Sequence, residues 1–292
     1  RPRLRRMLAH GTTTLEAKTG YGLETQAELR MLDAIERLAA EGPQTIVPTF
    51  IGAHAIPAEY KGREETYVDL VINEMLPGVV EYRKGRRLPT PTFCDVFCEE
   101  GAFTVAQSRR ILERARDLGL GLKIHADEFV GLGGAKLAVE LGAASADHLV
   151  YTPDDDIAAL GRGETVAVGL PGTPFGLAQK DYTPAQKIIA AGGLLALATD
   201  LNPGTTWCES MQMVIALACR YMKLTPAQAI AAATINAARA IRLESEVGSL
   251  EPGKLADVLL LDAPEYQHLG YRYGTNLVKT VIKAGKVAVE NP

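Results

Sequence analysis

Three residues stand out as able to do chemistry: His125, His148 and Asp200, each at the end of an apolar run. His125 closes Leu120-Gly121-Leu122-Lys123-Ile124 and is followed by Ala126-Asp127-Glu128; His148 closes Ala144-Ser145-Ala146-Asp147. Asp200 closes Leu194-Leu195-Ala196-Leu197-Ala198-Thr199, and a fourth group, His54, follows Ile51-Gly52-Ala53. Imidazole and carboxylate at such positions are the ligand types that hold zinc or a similar divalent ion, with a coordination position left open for water. A single histidine at a strand end reads more readily as a hydrogen-bonded core or rim residue. Four titratable groups at four run ends read together as one site. His10 and His268 have no such support and read as structural or rim positions.

The elements that must position these groups form a repeating pattern of a short apolar run followed by a helix-like segment. The runs are Thr13 to Lys18, Thr45 to Phe50, Thr92 to Phe97, Leu120 to Ile124, Ala144 to His148, Thr165 to Leu170 and Leu194 to Thr199. Runs without apolar–polar alternation suit parallel strands buried on both faces. Thr25 with Glu28, Thr104 with Gln107, Thr183 with Gln186 and Thr225 with Gln228 match the capping box that opens a helix. Pro184 and Pro226 suit the first helical position. Leu29, Leu32, Ile35 and Leu38, and likewise Ile111, Leu112, Ala115 and Leu118 before Gly119, make apolar stripes that cover a sheet.

Seven strand–helix units in series, with no G-x-G-x-x-G after the first strand, favour a (β/α) barrel over an open doubly wound sheet. The expected fold is an α/β, (β/α)8 TIM-like barrel lacking its first strand in this chain, over residues 1–246. After about residue 247 the texture changes to turn-rich short strands, Asp257 to Asp262 and Leu277 to Val289 with a turn at Ala284-Gly285-Lys286. Residues 247–292 therefore read as the C-terminal part of a small β domain, a β-sandwich appendage.

Composition narrows the function classes. A chain 47% hydrophobic and 23% charged is neither disordered nor low-complexity, and its four cysteines make no C-x-x-C pair. Cys94 and Cys98 sit in a strand-like run and read as packing. The net charge of −4 and two short basic clusters, Arg1 to Arg6 and Arg83 to Arg87, leave no footprint for nucleic acid. No apolar run approaches the roughly 18 to 20 residues of a membrane span. A soluble, cytoplasmic enzyme of small molecules is expected, without nucleic-acid or membrane partners. The start at Arg1-Pro2-Arg3-Leu4, without an initiator Met, reads as an interior position of a longer protein.

The segments His-Ala-Asp-Glu (125–128), Ser-Ala-Asp-His-Leu (145–149), Ala-Thr-Asp (198–200) and Gly-Ser-Leu-Glu-Pro-Gly-Lys-Leu-Ala-Asp (248–257) resemble the metal-dependent amidohydrolase superfamily. Within it, Gly-Thr-Thr-Thr-Leu-Glu-Ala-Lys-Thr-Gly-Tyr-Gly-Leu (11–23), Phe-Ile-Gly-Ala-His-Ala-Ile-Pro (50–57), Asp-Val-Phe-Cys-Glu-Glu-Gly-Ala-Phe (95–103) and Asp-Leu-Asn-Pro-Gly-Thr (200–205) are similar to the imidazolonepropionase family. The resemblance implies hydrolysis of 4-imidazolone-5-propanoate to N-formimidoyl-L-glutamate in histidine degradation, with one divalent metal ion, zinc or iron, and a homodimer. It implies His125 and Asp200 as metal ligands, and His148, Asp200 and Glu128 as catalytic groups. Tyr21, His54, Glu128, Asn202, Gly204 and Thr205 would bind the substrate. Read without the resemblance, Glu128 could be a solvated first-turn carboxylate, Gly204 an ordinary turn residue and Tyr21 a rim aromatic.

The sequence also departs from the family. The His-x-His that supplies two metal ligands does not occur in it, and the arginine that grips the propanoate matches none of Arg1 to Arg6. Arg83 to Arg87 reads as a local insertion, and the polar pattern from Gln179 to Lys187 differs from the family's. Two further readings follow: another amidohydrolase, a cyclic-amide hydrolase or a guanine- or cytosine-type deaminase; or an incomplete barrel that retains metal poorly and turns little over.

Overall fold

Seven parallel strands curl into one sheet, and helices cover its outer face. The computed structural model describes residues 1–86 and 90–292; Arg87, at the end of the second basic cluster, lies outside them. In chain order the first half comprises α1 (Pro2–Ala9), β1 (Thr14–Lys18), α2 (Thr25–Glu41), β2 (Thr45–Ala53), α3 (Glu64–Leu70), α4 (Leu76–Arg83), β3 (Phe93–Cys98), α5 (Val105–Asp117), β4 (Gly121–Ala126), α6 (Gly134–Leu141) and β5 (Ser145–His148). Then follow α7 (Asp154–Arg162), β6 (Val166–Gly169), α8 (Gly172–Gly176), α9 (Ala185–Ala190), β7 (Leu195–Leu197), α10 (Met211–Tyr221), α11 (Pro226–Ala233), α12 (Ile235–Ala240), β8 (Val258–Leu261), β9 (Val278–Lys283) and β10 (Lys286–Glu290). A π-helical turn, Val71–Met75, joins α3 to α4.

The seven strands β1 to β7 pair in sequence order, all parallel. They match the seven expected runs, one fewer than the eight that close a barrel of this type. Among the described residues β1 and β7 each have one edge without a strand partner. Leu32, Ile111 and Leu112 from the helices pack on Phe50, Cys94 and Ile124 of the sheet, and Cys94 and Cys98 are fully buried in this core.

Local signals fare unevenly. Thr104–Gln107 and Thr225–Gln228 form the expected capping boxes, and Pro226 opens α11. The box expected at Thr25 does not form, because Glu24 caps α2 and Glu28 turns back to the preceding loop. Thr183 likewise does not cap α9: its hydroxyl donates to the His148 carbonyl at 2.6 Å, and Pro184 precedes the helix instead of opening it. In both cases a distant or loop partner outcompetes the local amide.

The C-terminal appendage is an antiparallel sheet in the order β10-β9-β8. Its hairpin turns at Ala284 and Gly285, with φ of 49° and 79°. Two positive φ values match the right-handed strand twist of a two-residue hairpin. Helix α1 packs here, Leu8 against Val278 and Val281, and Asn276 and Asn291 donate to the Ala9 carbonyl at 3.0 and 2.8 Å.

Candidate active site

Parallel strands put their C-terminal ends on one side, so the loops that follow them meet. Tyr21, His54, His125, Glu128, His148, Asp200, Asn202, Gly204 and Thr205 all line a single cavity of about 1270 Å³. His148 and Asp200 carry positive φ, 77° and 51°, as do Asp127 (55°) and Leu149 (60°). For residues with a Cβ this is strained backbone, the kind found where surrounding contacts over-determine a functional turn. Around His148 those contacts are the Thr183 hydroxyl on its carbonyl and the Leu149 amide on the Ala126 carbonyl, at 2.6 and 3.1 Å.

The rim of the cavity holds the groups that could meet a substrate. Tyr21 is 57% exposed, its ring edge-on to that of His54 with centroids 5.2 Å apart. His54 Nδ1 donates to the Gly20 carbonyl at 2.8 Å, which fixes the ring's orientation. Gly20 is required there: its φ is +98°, and a Cβ would come within 2.7 Å of Ile51. Asn202 organises the last loop. Its Oδ1 accepts from the Gly204 and Thr205 amides, both at 2.8 Å, and its Nδ2 donates to the Asp200 carbonyl at 2.8 Å. Thr173 donates its hydroxyl to Asp200 Oδ2 at 2.5 Å.

His148 and Glu128 are both buried, with Nε2 and Oε2 3.5 Å apart. Burial pulls the His148 imidazole down to about 4, against the pull of Asp200, so it is neutral at pH 7. Burial also pushes the Glu128 carboxyl up to about 7, and Asp200 and Glu99 add to the rise while His125 opposes it. A neutral base and a carboxyl poised near neutrality, side by side in a cleft, are proton-handling chemistry.

Below the rim, facing the inside of the curled sheet, lies an ionic cluster that the reading of single residues misses. Lys18 Nζ lies 2.9 Å from Glu16, 2.7 Å from Asp95 and 3.3 Å from Asp147. Lys123 Nζ reaches Glu16 at 3.1 Å and the Ala240 carbonyl at 3.2 Å. Ser145 donates to Asp147 at 2.6 Å, and Thr49 donates to Glu16. The signal available in the sequence is period two: Glu16 and Lys18, Lys123 and His125, and Ser145 and Asp147 are polar pairs two apart in otherwise apolar strands, hence on one face.

His125 links the two layers. Its Nδ1 is 2.9 Å from Asp95 Oδ2. Burial lowers its affinity for a proton, but the charge of Asp95 outweighs that and raises the group to about 9. Burial pushes the Asp95 carboxyl up, and the charges of His125 and Lys18 more than reverse this and hold it far below the usual carboxylate range. The ring geometry does not align a hydrogen bond along this line, so among the described residues His125 Nδ1 is a buried nitrogen without a hydrogen-bond partner, as is His148 Nδ1. Donor atoms of Asp95, His125 and Asp147 converge within 4.8 Å, and unsatisfied imidazole among carboxylates is donor chemistry that fits a divalent cation. Lys18 already occupies the near oxygens of Asp95 and Asp147, so a cation held by His125 would draw on the cavity side, which Asp200 lines.

Histidine and carboxylate at the C-terminal ends of parallel strands are groups that can hold a divalent ion and move protons, and the amidohydrolase family's sequence model matches residues 3–288. The chain belongs to the amidohydrolase family, and within it to the imidazolonepropionases. It is 58% identical to the imidazolonepropionase of Herpetosiphon aurantiacus, over 100% of this chain and 68% of that protein. It is 50% identical to the one from Alkaliphilus oremlandii, over 98% of this chain and 67% of the relative. Among solved structures, an atrazine chlorohydrolase variant from Arthrobacter aurescens, complexed with zinc and atraton, superposes with a TM-score of 0.80 at 16% identity over 99% of this chain and 71% of that one. An adenosine deaminase from Xanthomonas campestris with bound zinc superposes with a TM-score of 0.71 at 20% identity over 98% of this chain and 67% of that one. These two likenesses concern the fold; the curated relatives favour the imidazolonepropionase reading over a deaminase. Family and site together make the chain a metal-dependent hydrolase. No helix of the described residues is long and apolar enough to cross a membrane.

Proposed function

We propose that this site adds water across the ring amide of 4-imidazolone-5-propanoate, breaking the C–N bond and releasing N-formimidoyl-L-glutamate. The observation that carries the reading is the convergence of the nine candidate residues on one cavity wall, in a chain 58% identical to a curated imidazolonepropionase. His125 and Asp200 would hold the metal ion, zinc or iron. When bound, such an ion lowers the pKa of a water to about 7 and polarises the carbonyl under attack.

The chain's own residues do the rest. Neutral His148 and the carboxylate of Asp200 accept and return the protons of the attacking water and the collapsing ring. Glu128, poised near pH 7, hydrogen-bonds a ring nitrogen and fixes the ring for attack. Tyr21 and His54 contact the ring and its carbonyl oxygen, while Asn202, Gly204 and Thr205 hold the substrate from the last loop. The family likeness also supports a cytoplasmic homodimer, and the domain reading of 1–246 and 247–292 belongs to the same proposal.

His125→Ala and Asp200→Ala in the expressed gene product should each abolish tightly bound metal, measured by elemental analysis, together with ring opening, followed by loss of substrate absorbance. Normal turnover in either variant overturns the ligand assignment.

A further inference from the structure

Two buried carboxylates on the rim have no ion-pair partner among the described residues, yet neither is idle. Glu28, in the first turn of α2 and 1% exposed, accepts from three backbone amides of one loop: Gly20 at 2.9 Å, Gly22 at 2.7 Å and Leu23 at 2.9 Å. Tyr21 sits between the captured amides, and the Gly20 carbonyl in turn accepts from His54. Glu99, just after β3 and 3% exposed, does the same to a second loop. It accepts from Glu128 at 2.9 Å, Phe129 at 3.0 Å and Val130 at 3.1 Å, with the neighbouring Glu100 amide at 3.1 Å.

We propose that Glu28 and Glu99 are positioning residues of the active site, each clamping one substrate-facing loop through its backbone: Glu28 the loop that presents Tyr21 and, through the Gly20 carbonyl, anchors the His54 ring, Glu99 the loop that presents Glu128. A carboxylate has about four acceptor sites on two oxygens and no donor, so it alone among side chains of this length can take three converging N–H groups. Glutamine has nearly the same shape, but its NH2 faces at least one amide donor and repels it. The clamp acts on the main chain, so it fixes where Tyr21 and Glu128 stand without touching a substrate. The functional half of the inference rests on the proposed ring hydrolysis; the structural half does not.

The first measurement needs no variant. In the unmodified protein the amides of residues 20, 22, 23 and 128–130 should resist hydrogen exchange at least as well as the strand amides beside them, although they lie in loops. Rapid exchange overturns the clamps. Glu28→Gln should then speed exchange about tenfold or more at 20–23 only, and Glu99→Gln at 128–130 only.

Kinetics separates positioning from bulk stability. Glu28→Gln should raise KM about tenfold with a smaller change in kcat, since Tyr21 and His54 hold the ring. Glu99→Gln should lower kcat by about 10- to 100-fold with a smaller change in KM, since misplaced Glu128 loses its alignment with the reacting atoms. Equal effects of both variants on both constants overturn the proposal. An unmodified protein that binds 4-imidazolepropanoate and does not open the imidazolone ring defeats the functional reading, and the exchange data still judge the clamps.

Discussion

The rim and the floor of the cavity both bury carboxylates and satisfy them in opposite ways. On the rim, Glu28 and Glu99 take neutral backbone dipoles and Asn202 does so without charge. On the floor, Glu16, Asp95 and Asp147 take the ammonium groups of Lys18 and Lys123. Loops need their main chain held, which amides on an acceptor accomplish. Strands are already held by their ladders, so the floor needs only its charge balanced, which costs no backbone freedom and leaves His125 at the boundary to face the cavity.

The largest effect is expected on the floor. Lys18→Met leaves Asp95 and Asp147 buried without their shared cation, and breaking a buried pair from one side costs about 3 kcal/mol or more. Urea denaturation should show that loss, and adding Asp95→Asn should recover part of it. A change below about 1 kcal/mol means the floor is not charge-balanced in this way.

A pH titration of metal-free protein should separate the layers more finely. His148, lowered from 6.5 to about 4, gives stability that is full above 6.5 and lost as pH falls through about 4. Glu128, raised from 4.5 to about 7, gives stability that is full below 4.5 and lost as pH rises through about 7. Their slopes oppose between about 4.5 and 6.5. His148→Gln should therefore make the protein gain stability toward acid in that window, and Glu128→Gln should make it lose stability. Slopes of the same sign in both variants refute the assignment. The floor carboxylates Asp95 and Asp147, held below the ordinary aspartate range by the neighbouring cations, act only at lower pH.

The smallest stability change belongs to the last rim loop. Asn202→Ala removes acceptors for two amides at a partly exposed position and should cost about 1 kcal/mol or less in global stability. Affinity for 4-imidazolepropanoate, measured by calorimetry, should nonetheless fall several-fold. An unaltered affinity removes Asn202 from the substrate site.

Much of the fold is legible from local pattern. Each of the seven runs forms a strand, most of them rich in apolar residues because both faces of the sheet are covered, and Thr104 and Thr225 cap helices because their partners lie three residues away. The strand-end positions of His125, His148 and Asp200 follow from the same runs. The failures share a cause. Thr25 and Thr183 satisfy the capping pattern as strings, but Glu28 finds three loop amides and Thr183 finds the carbonyl of His148, 35 residues away.

By itself, then, the sequence determined which segments are strands, which of their ends carry imidazole or carboxylate, and to which family the chain belongs, since periodicity and local spacing are written along one dimension. Only the tertiary structure decided that Lys18 meets Asp95 and Asp147, that Glu99 holds the loop of Glu128, and that a buried His148 stays neutral beside it. Those outcomes depend on the register between strands far apart in the chain and on the exclusion of water, and neither exists until the sheet has curled.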